Sequence, residues 1–509
     1  MTSSQRQGVR GRETGWRRRY LGVALGSVGL VVVAGCAAAP ERHEPDFDFE
    51  PPARWTAAAA AVDSLGAAPA DSAPAWWADF QDATLESLVA EALSHNHDLR
   101  AAVVRVDAAI ALGRLAGADR LPQLSAGFRG SRDRRNFIGT PIPTASITTY
   151  GVSLDASWEI DLWGRIRSAQ SAALAEAQAA WADVHAARLS LAAQTAKAYF
   201  AVTEARRQVD LADEAVQSFR ATLQSVRERF EHGTRSALDV RLAAANLADA
   251  AALRARRRAQ HDRSRRQLEV LLGRYPAAAL EGADSLQTAP AVIPIGIPSD
   301  LVLRRPDLAA AERHLAAAGA RVSEARRAFL PRVALTGSAG STAGAVNQLT
   351  DGDFFVWGLF GNLVQPIFQG GRLRAQAQLA HADAAMLLEN YAQAVLRAFH
   401  EVEDALATES FLADEERAHQ ESARQAIAAQ ALAEERYRQG LESFVTVLEA
   451  QRGALRARGN LITVRKQRLD ARVHLHMALG GSFEVPVGID GRFDVEPGNV
   501  RPNVGGDAR

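Results

Sequence analysis

The sequence holds one cysteine in 509 residues. That excludes an internal disulfide framework and any zinc or iron–sulfur site built on cysteine. It has no excess of charge of either sign, because 59 Lys and Arg balance 59 Asp and Glu. A nucleic-acid partner, which calls for a basic face, is therefore not expected. Mean hydropathy is -0.14, too polar for a bundle of membrane-crossing helices. Aromatic residues are scarce, at 6%. What is abundant is Ala, Arg, Leu, Glu and Gln, in a chain that is 47% hydrophobic and 23% charged. That mix supports a large core and reads as long helices.

The N-terminus reads as an address. Arg6, Arg10, Arg12, Arg17, Arg18 and Arg19 precede an apolar run over 20–34. The run is short for a spanning helix and suits a secretory signal. It ends in Val33-Ala34-Gly35-Cys36, which resembles a bacterial lipoprotein signal with Cys36 as the lipidated first residue. An ordinary signal peptide with an incidental thiol is the alternative. Arg17-Arg18-Arg19-Tyr20-Leu21 loosely resembles a twin-arginine export signal, so that route and the general secretory route both stay open. Ala37 after the cysteine implies sorting to the outer membrane in lipoproteins of this type. Six Arg and one Glu leave with residues 1–35, which makes the mature chain about −5 in net charge. Residues 36–80, rich in Pro, Ala and Asp, read as an extended lipidated tether.

The body is written twice. Asn-His-Asp-Leu at 96–99 echoes Arg-Pro-Asp-Leu at 305–308, and Leu121-Pro122 echoes Leu330-Pro331. Gly164-Arg165 echoes Gly371-Arg372, and Arg229-Phe230 with Gly233 echoes Arg436-Tyr437 with Gly440. The offsets are all about 207–209 residues, the mark of a tandem duplication. The first repeat is placed at 81–275, a connector at 276–299, the second repeat at 300–480 and a tail at 481–509. Each repeat predicts a helix (84–119; 300–329) ended by Pro122 or Pro331. Two alternating segments, a very long helix (165–231; 371–439), a glycine turn and a final helix (237–272; 444–479) follow. The long helix would rise about 100 Å, and the two shorter ones sum to roughly the same length. That fits a tube better than a globule. Val209, Ala212, Val216, Phe219, Leu223, Val226 and Phe230 form a heptad seam. The helices alone would also suit a solvent-exposed coiled coil.

The alternating segments distinguish these readings. Leu124, Ala126 and Phe128 alternate with polar or small residues, as do Val152, Leu154, Ala156, Trp158 and Ile160. Val333, Leu335, Gly337 and Ala339 repeat the pattern, and so do Trp357, Leu359, Gly361, Leu363 and Ile367. A period of two with one apolar face is the pattern of transmembrane β-strands. Polar loops are expected at 132–149 and 341–353. Trp158, Trp163, Phe355 and Trp357 suit aromatic belts. Four strands cannot close a barrel, and open edges are forbidden in lipid. Two copies would give 8 strands and three would give 12; the strand arithmetic leaves both open.

No catalytic constellation emerges, and the chain reads as a non-enzyme without cofactor or metal. His95-Asn96-His97 and His474-Leu475-His476 place their imidazoles on different helix sides. Glu415-Glu416 and Glu434-Glu435 read as solvated helix faces.

Residues 297–338, containing Arg304-Arg305-Pro306-Asp307-Leu308 and a helix stopped by Pro331, resemble the signature of NodT-type outer-membrane efflux lipoproteins of the TolC-like outer membrane factor family. The Gly-Gly-Arg-Leu-Arg-Ala box at 370–375 and the two Arg-Phe/Arg-Tyr…Gly tips extend the resemblance over about 80–480. The resemblance implies a mostly α, α+β membrane protein. A homotrimer would form a 12-stranded outer-membrane β-barrel and a periplasmic α-barrel of long antiparallel helices. It implies the exit duct of a tripartite efflux pump, working with a periplasmic adaptor protein and an inner-membrane transporter of the RND class. The cargo class would be drugs or other small toxic compounds. Adaptor-docking tips are implied at Phe230, Gly233, Thr234, Ser236, Tyr437, Gly440, Leu441 and Ser443. A periplasmic gate is implied at Val445, Thr446 and Glu449, with Asp239 as counterpart in the first repeat. Thr446 stands where TolC carries an acidic residue and Glu442 where it carries a basic one. The alternative reading is a lipid-anchored periplasmic coiled-coil scaffold without a pore.

Overall fold

The computed structural model describes Pro40, Trp55, Thr56 and residues 76–136, 144–287 and 304–481. Cys36, the leader before it, residues 288–299 of the connector and residues 482–509 of the tail lie outside the described residues.

The first half contains α1 (Ala83–His95), α2 (His97–Ala118), β1 (Gln123–Asn136), β2 (Thr144–Ile160), α3 (Arg165–Glu231) and α4 (Ala237–Leu271). The second contains α5 (Pro306–Arg327), β3 (Arg332–Ala343), β4 (Phe355–Val364), α6 (Arg372–Arg438) and α7 (Phe444–Ala478). The long helices α3 and α6 have 67 residues each, and α4 and α7 have 35 each.

Among the helices and the tether, three sequence expectations need correction. The helix expected over 84–119 is two helices. Asn96 leaves the helical region, and its Oδ1 accepts from the Asp98 and Leu99 N–H groups at 2.9 and 3.0 Å. That side-chain cap opens a new helix. The helix expected over 300–329 is interrupted at Arg305, after a helical Arg304, and Pro306 opens the helix that follows as its first residue because it needs no N–H there. The tether expected through residue 80 ends earlier: Trp76–Phe80 forms a 3-10 turn that buries Trp76 and Phe80. Trp55 is buried too, with its ring 6.0 Å from that of Phe399.

Helix α3 packs against α2 and α4 and also against α5 and α7, which in turn carry α6. The result is a row of staves in which each long helix runs beside two stacked shorter ones. Along α3, Ala212, Val216, Phe219, Leu223 and Val226 are buried, as the heptad predicts, and the seam opens at Phe230. A belt of apolar residues around Phe80, Tyr199, Phe200 and Leu268 forms the largest core. It is pinned by Asp82, which accepts from the Tyr199 hydroxyl at 2.8 Å and caps α1. The described part of the connector is fastened as well. Ala278, Ala279 and Leu280 donate their N–H groups to the buried Glu269 carboxylate at 2.7, 2.6 and 3.2 Å. Burial alone would raise the Glu269 pKa; those three bonds overcome it and hold the carboxyl below its ordinary value.

The strands form one antiparallel sheet in the order β1-β2-β3-β4. Strand β2, from the first half, pairs with β3 from the second. The loop expected at 132–149 is shorter, because β1 runs to Asn136 and β2 starts at Thr144. Ile367, assigned to the fourth segment, lies beyond the end of β4, past Pro366, which has no N–H for the ladder.

Candidate functional site

The sheet register sorts the strand residues into two faces. Leu124 pairs with Ala156, Ala126 with Leu154 and Phe128 with Val152. Leu154 then pairs with Ala339, Trp158 with Leu335 and Ile160 with Val333. Finally Val333 pairs with Leu363, Gly337 with Leu359 and Ala339 with Trp357. Apart from Val152, whose partner on β3 is Ser341, the partners of these apolar-set residues belong to the apolar sets of their own strands, so one face is mainly apolar across all four strands, with Arg132 and Arg134 at its outer end. The other carries Ser125, Asp155 and Ser338 in one row and Glu159, Ala334 and Asn362 in another. Ile147, Val356, Phe360 and Val364 are apolar exceptions on that second face. Trp357 is 75% exposed in the protomer, as a lipid-facing ring would be. At the other sheet end, Trp158 Nε1 donates to the Arg120 carbonyl at 2.8 Å and Trp163 Nε1 to the Pro331 carbonyl at 2.7 Å. Both rings thus fix strand–helix junctions while their apolar bodies stay available. Strands β1 and β4 each have one unpaired edge.

At the far end of the staves lie the two tips. Gly233 and Gly440 have φ of 73° and 79°, and no atom would crowd a Cβ at either. It is the left-handed backbone, not a shortage of space, that selects glycine there. Ser236 caps α4, and Asp239 completes a capping box by accepting from the Ser236 N–H. Ser443 caps α7 through the Thr446 N–H. Asp239 and Thr446 therefore hold the same third position of their helices. The Thr234 hydroxyl donates to the Arg229 carbonyl at 2.8 Å, closing the first turn. Phe230, Leu441 and Val445 are 45%, 63% and 48% exposed. Glu449, one helical turn from Val445, is also exposed, so the two share a face. The Ser443 N–H and then the Thr446 hydroxyl donate to Glu442, at 3.1 and 3.0 Å, and hold its carboxyl below the usual range, with Arg436 adding a smaller effect.

Tyr437 is buried rather than displayed. Arg235 lies 4.4 Å and Arg229 4.8 Å from its ring centroid, and Arg229 also donates to the Tyr437 carbonyl at 3.2 Å. Phe444 lies against the ring, 5.7 Å between centroids. Two cations of the first tip thus clasp one aromatic of the second. Sequence reasoning missed this role for Arg229 and Arg235, because an arginine beside a helix end reads as solvated. The signal was the aromatic at the tip of the second repeat facing a pair of basic residues at the tip of the first.

His95 and His97 lie on different helices, either side of the Asn96 break. His476 is buried against the Trp76 ring at 5.3 Å. Among the described residues no group of three or more His, Cys, Asp and Glu is placed to hold a metal ion, and no helix is long and apolar enough to cross a membrane.

The family model for outer membrane efflux protein matches residues 88–274 and 297–481. The chain is 34% identical over 478 residues to the outer membrane protein OprJ of Pseudomonas aeruginosa, covering 92% of this chain and 97% of OprJ. It is 31% identical over 472 residues to the toluene efflux pump outer membrane protein TtgF of Pseudomonas putida, covering 92% and 98% of the two chains. The solved outer-membrane channel OprN superposes with a TM-score of 0.79 at 31% identity, covering 88% of this chain and 99% of that one. The pore-free scaffold reading gives way to these likenesses and to the sheet register. The chain belongs to the outer membrane efflux protein family and is the outer-membrane channel component of an efflux pump, not an enzyme.

Proposed function

We propose that three copies of this chain close their four-stranded sheets into one 12-stranded barrel that conducts drugs or other small toxic compounds passively out of the cell. The observation that carries this is the sheet itself: one mainly apolar face and two edges unpaired within the protomer. Unpaired N–H and C=O groups cost several kcal/mol each in hydrocarbon, so the edges β1 and β4 must meet partners, and a neighbouring copy supplies them. The open flanks of the stave row, α2 and α4 on one side and α6 on the other, meet their neighbours in the same way. The polar face then lines the conduit.

Energy comes from partners: a periplasmic adaptor docking on the tips at Phe230, Gly233, Thr234, Ser236, Gly440, Leu441 and Ser443, and an inner-membrane transporter of the RND class. Tyr437 serves the tips by holding them together. Val445, Thr446, Glu449 and Asp239 form the periplasmic gate. Symmetry would make Glu449 a ring of three carboxylates, which focuses negative potential in a narrow lumen and favours cations. Residues 1–35 are removed as a signal, and acylation of Cys36 adds an anchor in the outer membrane ahead of the tether.

Planar-bilayer recording of the purified full-length chain tests the channel. Discrete, ohmic conductance steps are expected, and a protein that forms heat-sensitive oligomers yet leaves bilayers silent would contradict the reading. Acyl labelling tests the anchor: label is expected on the native chain and should vanish in Cys36→Ala.

A further inference from the structure

Helix α3 is not packed uniformly along its length. Between α4 and α7 lies a cleft of about 590 Å³, within the roughly 300–1,000 Å³ of small-molecule sites. Leu211, Ala212 and Phe219 of α3 and Ala250 of α4 line its floor and are buried, beside the buried amides of Gln208 and Asn246. Gly459 of α7 lines it too and presents no side chain to fill it. The α7 backbone is drawn to α3 there, because Gln208 Nε2 donates to the Gly459 carbonyl at 3.0 Å. A Cβ on Gly459 would sit 3.6 Å from Gln208 and 3.9 Å from Leu211, ordinary contact distances. A larger side chain at this position would reach into the cleft.

The rim has the opposite character. Arg256 and Arg257 reach it from α4, and Arg452 and Arg456 from α7, against one lining carboxylate, Asp249. Arg452 stands 3.9 Å from Asp249. Among the described residues, Arg256, Arg257 and Arg456 have no carboxylate partner. Arg254 and Arg258, which do not line the cleft, pair with Asp213, and Arg458 pairs with Glu214. Four arginines against one carboxylate make the rim of the cleft net positive. The cleft lies within one protomer and needs no second copy to complete it.

We propose that this cleft is a binding site for a long-chain carboxylate, with the alkyl chain on the Leu211–Phe219 floor and the head group on the arginine rim. Guanidinium groups match a carboxylate bidentately, and the apolar strip from Leu211 to Phe219 gives an alkyl chain a surface to cover. This goes beyond the duct function and does not depend on it.

The test uses the full-length protein in nanodiscs and dodecanoate as the probe, by calorimetry below its critical micelle concentration. One saturable site per protomer is expected, with no saturable binding of dodecyltrimethylammonium. The double variant Arg256→Gln/Arg456→Gln should weaken dodecanoate at least tenfold. Gly459→Leu, which leaves every charge in place, should abolish it by filling the floor. Circular dichroism and oligomer mass on each variant establish that the fold is kept. Absence of saturable binding to the native protein overturns the proposal. So does affinity unchanged in both variants, or equal binding of the cationic amphiphile. Binding only of an acidic peptide helix would overturn it as well, in favour of a protein partner. Bilayer conductance of the same preparation reports on the channel separately.

Discussion

Asn96 and Arg305 hold the same post in the two halves of the chain. Each stands immediately before the helix opened by its copy of the duplicated Asp-Leu motif, and each reaches back to the end of the half-length helix stacked on it. Asn96 Nδ2 donates to the Leu271 carbonyl at 3.0 Å, and Arg305 Nη1 donates to the Ala478 carbonyl at 3.3 Å. These bonds satisfy orphan carbonyls where α4 abuts α2 and α7 abuts α5. Two short helices can then run beside one long helix as a nearly continuous stave. Asn96→Ala removes both a cap and this bond, so a loss of about 1–3 kcal/mol is expected. Asn96→Asp keeps the capping acceptor but sets a carboxylate against the Leu271 carbonyl, and should still destabilise. Chemical unfolding of the solubilised protein checks both, and Asn96→Asp as stable as the native chain would show that the joint carries nothing.

The tip clasp makes a prediction that separates ring from hydroxyl. Among the described residues the buried Tyr437 hydroxyl has no hydrogen-bond partner. Tyr437→Phe should therefore change local stability by less than about 0.5 kcal/mol, since the ring face that meets Arg229 and Arg235 is retained. Tyr437→Leu and Arg235→Ala remove the cation–ring contact, worth about 0.5–2 kcal/mol. Both should speed amide hydrogen exchange at 229–240 and 436–447. Faster exchange in Tyr437→Phe alone would assign the hold to the hydroxyl.

Two histidines give opposite slopes of stability against pH. His314 is bonded to Glu176 at 2.9 Å, which raises its pKa. Its contribution is full below the unfolded value of about 6.5 and is lost as pH rises through the raised folded value. His476 is pushed down to about 4, chiefly by burial and secondarily by Arg472. Between about 6.5 and 4 the unfolded chain takes up a proton that the native chain refuses, so stability falls with pH across that window. Tm measured from pH 4 to 9 should lose its alkaline slope in His314→Gln and part of its acid slope in His476→Phe. Slopes unchanged in both variants would contradict the assignment.

If Glu449 forms the acidic ring, Glu449→Ala should shift the reversal potential under a salt gradient toward zero selectivity and relieve block by multivalent cations. Its exposure on the Val445 face means that stability should change little. Single-channel recording with unchanged selectivity and block would remove Glu449 from the gate.

The duplication, the long helices and the four strands were legible because each repeats a strong pattern: a constant offset, a heptad, a period of two. What escaped had no such pattern. In the outer part of β2, Thr144 to Thr149, one face is Ser and Thr throughout and Ala145 and Ile147 fall on the other, out of phase with the apolar set from Val152 to Ile160, so the alternation breaks and the stretch reads as loop. The break at Asn96 had a local cue, an Asn with Asp two residues on, but no proline or glycine to announce it. The clasp on Tyr437 joins residues about 200 positions apart, and no local pattern encodes a contact across that distance.

The central claim is that one protomer is a third of a closed wall. Native mass spectrometry of the detergent-solubilised protein tests it most directly. A mass of three chains is expected, released as single chains only on heating. A monomer that keeps its four strands in solution would contradict it.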